Sequence, residues 1–284
     1  MSKDIKQYGP WALITGASSG IGSGFARELA AKGLNVVLVA RRALSLKSLA
    51  KELEASGVKT RTVVQDLAEP GAAQAVFDAV SDLDVGLLVS NAGAGKMGGF
   101  LQNRVEDLSQ MLRLNVIAHM ELSHVFASRF RRDGRRGGIL LVSSTAGLQP
   151  VPLGANYSSA KAFVTNFGES LNAELAELGI DVSVVIPGPT NTAALTERTD
   201  VDMNKLPMPT LTVEAVVRQG LKALVRRRPS HIVGTINRWM ARLTPKRMGS
   251  WIFGKLFHMN TAPRLLPTAP IAQQTSTYAV RSAA

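Results

Sequence analysis

The sequence predicts an α/β fold, a doubly wound parallel sheet flanked by helices, in a single domain with a basic C-terminal extension. Three observations predict it. From Ala12 to Ile186, short β-branched runs alternate with longer amphipathic ones, the rhythm of parallel strands joined by helical crossovers. Three of the amphipathic runs stop at a glycine (Gly33, Gly57 and Gly179), as helices commonly do. The first apolar run leads into Thr-Gly-Ala-Ser-Ser-Gly-Ile-Gly, residues 15–22, a glycine-rich turn between a first strand and a first helix.

The strands are expected at Ala12–Thr15, Asn35–Ala40, Lys59–Val64, Gly86–Ser90, Gly138–Ser143 and Asp181–Ile186. Between them, apolar residues recur with helical spacing over Ile21–Lys32, Ala43–Ser56, Pro70–Ser81, Arg104–Arg131 and Tyr157–Leu178. After Ile186 the rhythm fails. Thr190–Thr212 reads as a lid or substrate loop, Val213–Val225 as a helix, and His231–Gly234 as a last short strand. Residues 10–235 are expected to form the Rossmann-type catalytic domain, and 236–284 a basic amphipathic extension with a loosely ordered tail from Asn260.

Composition narrows the function. The chain has 284 residues, 45% of them apolar, enough for one large core. It has no Cys, which excludes disulfides, thiol catalysis and thiolate metal sites. The four His (His119, His124, His231 and His258) are scattered and read as surface or interface residues, so no metal is expected. The polar N-terminus meets the short apolar run Trp11–Ile14, too brief for a signal segment, and no run approaches the roughly 20 residues of a membrane span. A cytoplasmic protein is expected.

The net charge of +12 is unevenly placed. Acids and bases balance over residues 1–214, and residues 215–284 carry 12 Lys and Arg without one acid. No zinc finger, basic zipper or RNA-recognition signature accompanies this charge, so nucleic acid is not an expected partner.

In doubly wound sheets ligands bind beyond the carboxyl ends of the strands, so the residues just after each strand carry the functional reading. The turn from Gly16 through Ser18, Ser19, Gly20 and Ile21 to Gly22 lets a pyrophosphate approach backbone N–H groups at a helix N-terminus. The second strand ends in Arg41 and Arg42 where dinucleotide folds using a free 2′-hydroxyl place an acid. A guanidinium pairs with a 2′-phosphate that an acid would repel, so NADP(H) is expected over NAD(H). The third strand ends in Asp66 and Leu67, and Asp66 can accept from an adenine amino group. The fourth ends in Asn91, Ala92 and Gly93, small residues that let backbone approach a flat ligand.

The fifth strand ends Val-Ser-Ser-Thr-Ala-Gly, with Ser143 and Ser144 as candidate polar groups. Thirteen positions beyond Ser144 stands Tyr157, then Lys161, four apart and on one helical face. At this point the chain resembles the short-chain dehydrogenase/reductase family, over about residues 10–235. The shared motifs are the glycine-rich turn, Asn-Ala-Gly, the Ser before Tyr-x-x-x-Lys, and Pro-Gly-Pro-Thr-Asn-Thr at Pro187–Thr192.

The resemblance implies that Tyr157 donates and accepts the proton, and that the Lys161 ammonium and the oxidised nicotinamide favour its phenolate. It implies that Lys161 holds the nicotinamide ribose, that Ser144 stabilises charge on the substrate oxygen, and that Asn115 ties an ordered water to Lys161. Pro187, Gly188, Thr190 and Thr192 match the family's segment over the nicotinamide amide. The spacing selects Ser144 over Ser143. One departure is Ser19, where many NADP(H) members have Lys or Arg.

The substrate-facing loops carry Met97, Phe100, Leu148, Val151, Leu153, Leu195, Met203, Leu206 and Met208, an apolar lining that suits a hydrophobic ketone or secondary alcohol. Lys96, Arg198 and Lys205 can contact a distal acid. The layout is similar to members acting on hydroxysteroids or long 3-oxoacyl groups. The family also implies a homodimer or homotetramer through Arg104–Arg131 and Tyr157–Leu178. Ile236–His258 interleaves Trp, Leu and Phe with Arg and Lys, and Pro245 and Gly249 are expected to break any single helix there. A cover for the chain's own core or for a partner subunit is preferred there, with a membrane surface as the alternative. A non-catalytic NADP(H)-binding sensor or scaffold is the competing reading of the whole chain.

Overall fold

Residues 11–15, Trp-Ala-Leu-Ile-Thr, form strand β1, and their alternation assigns its faces: Ala12 and Ile14 enter one core layer and Leu13 the other. The same division runs through β2 (Asn35–Ala40), with Val36, Leu38 and Ala40 on the first side and Val37 and Val39 on the second. A sheet apolar on both faces must be covered on both, which is the doubly wound solution. The computed structural model describes residues 4–192, 210–260 and 266.

The remaining strands are β3 (Thr60–Val64), β4 (Val85–Ser90), β5 (Gly137–Val142), β6 (Ile180–Ile186) and β7 (Ser230–Ile232). All pair in parallel, in the order β3-β2-β1-β4-β5-β6-β7. Helices α1 (Gly20–Ala31) and α2 (Ala43–Glu54) cover one face, together with α7 (Val213–Val225). The other face is covered by α3 (Ala72–Asp78), α5 (Ala118–Arg132) and α6 (Ala155–Leu175). Phe126 and Phe130 of α5 are fully buried beneath β4 and β5, each contributing about 1.5–3 kcal/mol of burial. The strand order reverses between β1 and β4, which opens a crevice at their carboxyl ends.

The single helix expected over Arg104–Arg131 is interrupted. Helix α4 (Val105–Leu112) passes into a π-helical turn, Arg113–Ile117, before α5 begins. The Ala118 N–H bonds the carbonyl of Arg113, five residues back. The apolar period continues across this turn, so the sequence pattern does not show it. The helix expected at Pro70–Ser81 is shorter, because Gly71 before it is left-handed and the chain turns at Ala79.

The C-terminal segment forms two helices, α8 (Thr235–Leu243) and α9 (Lys246–Asn260). Pro245 separates them, as expected, but Gly249 lies inside α9 instead of breaking it. The two ends of the loop after β6 meet: Asn191 N–H donates to Leu211 O at 2.9 Å, and Leu211 N–H to Pro189 O at 2.7 Å. Residues 193–209, with the expected contacts Leu195, Arg198, Met203, Lys205, Leu206 and Met208, lie outside the described residues. So does the tail beyond Asn260, Leu266 excepted.

Candidate active site

Strand β1 ends at Thr15, whose side chain and carbonyl tie it to the end of β4. The hydroxyl accepts from the N–H groups of both Asn91 and Ala92 at 2.9 Å, and Asn91 Nδ2 donates to Thr15 O at 2.9 Å. Thr15 is a site residue that the sequence reading passed over, although it is the first letter of the glycine-rich motif.

Gly16 follows at φ +67°, where a side chain is strained. A Cβ there would stand 2.9 Å from Asn91 Nδ2 and 3.0 Å from Ala92 Cα. The turn is therefore held open by missing side chains, and α1 starts directly behind it at Gly20, with Ile21 packed on the core. Thr192 lies over Gly20. This cradle fits a pyrophosphate: close backbone, small residues and a helix N-terminus.

The second strand end leans onto that turn. Arg42 Nη2 donates to Ser19 Oγ at 2.7 Å and to Ser18 Oγ at 3.2 Å. Ser19 thus positions Arg42. Arg41 Nη1 lies 3.4 Å from Asp66 Oδ2, and Asp66 Oδ1 accepts from Ala68 N–H at 3.0 Å. Leu67 is buried beside them. An exposed guanidinium pair thus stands at the mouth of the glycine turn.

At the end of β5 the two serines have different partners. Ser143 is buried; its hydroxyl lies 2.7 Å from Lys161 O and 2.7 Å from Thr165 Oγ1, which fastens α6 to the strand. Ser144 is half-buried and its Oγ accepts from Ala146 N–H at 3.2 Å, capping the short 3-10 turn Thr145–Leu148. That bond uses a lone pair and leaves the Ser144 O–H proton for another acceptor.

Lys161 is 4% exposed. Its Nζ donates to Val142 O at 3.0 Å and lies 6.0 Å from the centre of the half-buried Tyr157 ring. Gly147 packs directly on the Lys161 backbone, so no side chain separates the β5 loop from α6.

Asn115 is fully buried in the π-helical turn. Its Nδ2 donates to Ala94 O at 2.7 Å and to Met111 O at 2.9 Å, while Oδ1 has no hydrogen-bond partner among the described residues. A Cβ at Gly93 would lie 2.8 Å from that Oδ1 and 3.2 Å from Lys161 Nζ. Asn115, Gly93 and Lys161 therefore converge, and the unpartnered oxygen has the chemistry to hold a water.

The expectation for His119 is corrected. It is not on the surface: it is buried under β4 with Nδ1 2.8 Å from Ser90 Oγ. Burial, and then the neighbouring Lys161 charge, push its pKa down to about 3, so it is neutral. Its spacing from His124, which is exposed, concealed that it occupies the inner face of α5.

Pro187 and Gly188 are buried at the end of β6, and Thr190 Oγ1 donates to Gly188 O at 2.9 Å. Asn237 of α8 packs on Gly188 and donates from Nδ2 to Val233 O at 2.9 Å. Among the expected substrate contacts, Met97 and Val151 are buried, Leu148 and Leu153 half-buried and Phe100 exposed. Lys96 is paired with Asp107 at 2.6 Å.

Comparison with known proteins gives this crevice its context. The model of the short chain dehydrogenase family matches residues 10–202. The 7beta-hydroxysteroid dehydrogenase of Collinsella aerofaciens is 36% identical over 191 residues, 67% of this chain and 72% of that protein. The very-long-chain 3-oxoacyl-CoA reductase of Neurospora crassa is 36% identical over 192 residues, but the match spans only 58% of that longer protein. A short-chain dehydrogenase from Sphingobium yanoikuyae, solved in complex with NADPH, superposes with a TM-score of 0.75 at 35% identity, covering 82% of this chain and 91% of its own. A relative from Burkholderia phymatum, solved in complex with NAD, superposes at 0.74 with 25% identity, covering 83% and 92%.

Proposed function

The chain belongs to the short-chain dehydrogenase family and is an oxidoreductase; on that premise we propose that it interconverts a ketone and a secondary alcohol on a hydrophobic, steroid-like or 3-oxoacyl substrate, with NADP(H) as cofactor. One observation carries the reading. A buried ammonium, Lys161, lies one helical turn from the Tyr157 phenol, at the strand end where Ser144 offers a hydroxyl.

The residues present fit the dinucleotide. The turn Gly16–Gly22 would hold the pyrophosphate, and Asn91, Ala92 and Gly93 would line the adenosine side. Asp66 and Leu67 would meet the adenine, and Pro187, Gly188, Thr190 and Thr192 the nicotinamide amide. Arg41 and Arg42 would pair with a 2′-phosphate, which is the support for NADP(H), since no acid stands there to bind a free 2′-hydroxyl. When bound, the cofactor supplies or accepts the hydride.

The chain's own groups manage the oxygen and the proton. Ser144 donates a hydrogen bond to the substrate oxygen and steadies the charge that develops there. Tyr157 gives its proton to that oxygen in reduction and takes it back in oxidation. The Lys161 cation stabilises negative charge on the Tyr157 oxygen as the proton leaves, and its ammonium would hold the ribose hydroxyls of the bound cofactor. Asn115 Oδ1 fixes a water beside Lys161 and so connects Tyr157 to a proton source. Homo-oligomerisation through α4–α5 and α6 is part of the proposal, supported by the partly exposed Ile117, Met120 and Phe163 on those helices.

Turnover of a panel of oxosteroids, hydroxysteroids and 3-oxoacyl thioesters, followed by NADPH absorbance, tests the reading. NADPH-dependent reduction of a bulky ketone is the expected result. Tight NADPH binding with no turnover of any of them would support the non-catalytic sensor instead.

A further inference from the structure

Helix α8 is turned inside out. Its apolar residues Ile236, Trp239, Met240 and Leu243 recur at i, i+3, i+4 and i+7, the spacing of a stripe that normally seeks a core. Here the stripe faces away from the protein: Ile236, Trp239 and Leu243 are 57%, 59% and 68% exposed. The residue turned inward is polar, Asn237, held by Gly188 and Val233. Helix α9 adds exposed apolar surface beside it. Gly249 and Gly254 face inward against Gln149 and Pro152, while Trp251 and Met259 are 62% and 71% exposed. Lys255 stands between those two, its ammonium 4.3 Å from the Trp251 ring centre.

The charged residues of this stretch of sequence have one sign. Residues 236–260 contain Arg238, Arg242, Lys246, Arg247 and Lys255 and no acid, within a C-terminal quarter that carries the chain's entire +12 excess. A protein partner for an apolar stripe does not require such a field. An interface of hydrocarbon beneath negative headgroups does, because it takes up Trp and Leu while attracting Lys and Arg. Among the described residues no helix is long and apolar enough to cross a membrane, so the contact is at the surface of the bilayer.

We propose that α8 and α9 form a docking face for an anionic lipid bilayer. The inner sides of both helices rest on the chain that frames the crevice, at Gly188 and at the loop holding Gln149 and Pro152. Docking through their outer sides therefore sets the crevice mouth next to the lipid, where an apolar substrate of the kind proposed above would be concentrated. The docking itself does not rest on that activity, and its test does not use turnover.

The full chain is sedimented with vesicles of phosphatidylcholine alone and with about one third phosphatidylglycerol, at low and at high salt. Binding to the anionic vesicles is expected to exceed binding to neutral ones by about tenfold or more and to fall several-fold in high salt. The Trp239→Ser/Leu243→Ser variant, at exposed positions, is expected to lose about tenfold in partitioning while keeping its circular dichroism and melting temperature. Brominated lipids are expected to quench the wild-type tryptophan emission. No pelleting with anionic vesicles, equal pelleting by the variant, or no quenching would overturn the proposal. So would a wild-type oligomer that the variant dissociates and vesicles do not compete for, which would make the stripe a protein interface.

Discussion

His119 offers a test of the site's interior that needs no substrate. Its imidazole is buried beside Ser90 and near Lys161, and its pKa is lowered from 6.5 to about 3, first by desolvation and then by the Lys161 charge. In the unfolded chain it titrates normally. Between about pH 6.5 and pH 3 the unfolded state therefore holds one proton more than the folded state, and stability rises with pH across that window. Falling pH removes stability progressively as it passes below the unfolded value. From about pH 7.5 to pH 5.5 the loss from this one group is ~1.3 kcal/mol.

The perturbation is His119→Gln, which keeps a polar partner for Ser90 and does not titrate. Urea unfolding of wild type and variant at the two pH values gives two losses of stability, and contributions from carboxylates cancel in their difference. The wild type is expected to lose ~1.3 kcal/mol more than the variant on acidification, whatever the variant costs at neutral pH. Equal losses would mean that His119 titrates normally in the folded protein and that burial between α5 and β4 does not hold it neutral.

Two further substitutions address the crevice. Arg42→Asp removes the guanidinium on Ser18 and Ser19 and introduces repulsion, so NADP(H) affinity should fall by about 30- to 100-fold in titration calorimetry, with NAD(H) little changed. Equal loss for both cofactors would defeat the 2′-phosphate assignment. Gly93→Ala places a methyl 2.8 Å from Asn115 Oδ1 and 3.2 Å from Lys161 Nζ; kcat should fall by about 100-fold with a melting-temperature loss of only a few degrees. An unchanged kcat would show that the convergence of these three residues does not matter to turnover.

The strands and the strand-end residues were legible because both follow from short-range rules. Alternating apolar runs fix which faces of Ala12–Thr15 and Asn35–Ala40 are buried, and glycines mark the ends of three helices. The Tyr157–Lys161 pair was legible because helical geometry joins i and i+4 without any tertiary knowledge. What the sequence did not disclose depends on packing between distant segments. The π-helical turn at Asn115 leaves the apolar period of Arg104–Arg131 intact, so nothing in the pattern marks it. The burial of His119 depends on which face of α5 meets β4, and its pairing with Ser90 joins residues on different elements. Thr15 acts through the N–H groups of Asn91 and Ala92, just beyond β4, a contact that requires the strand order. The inside-out set of α8 is the clearest case: its spacing reads as an ordinary amphipathic helix, and only the fold shows which side faces out.

In the proposed reaction the Tyr157 phenol, beside the Lys161 ammonium, moves the proton while hydride passes between the cofactor and the substrate carbon. Turnover of the best ketone from the panel by Tyr157→Phe, compared with wild type at saturating NADPH and with NADPH affinity measured separately, tests it directly. A fall in kcat/KM of about a thousandfold or more is expected, with NADPH affinity within about threefold of wild type. Turnover at near wild-type rate in that variant would contradict it.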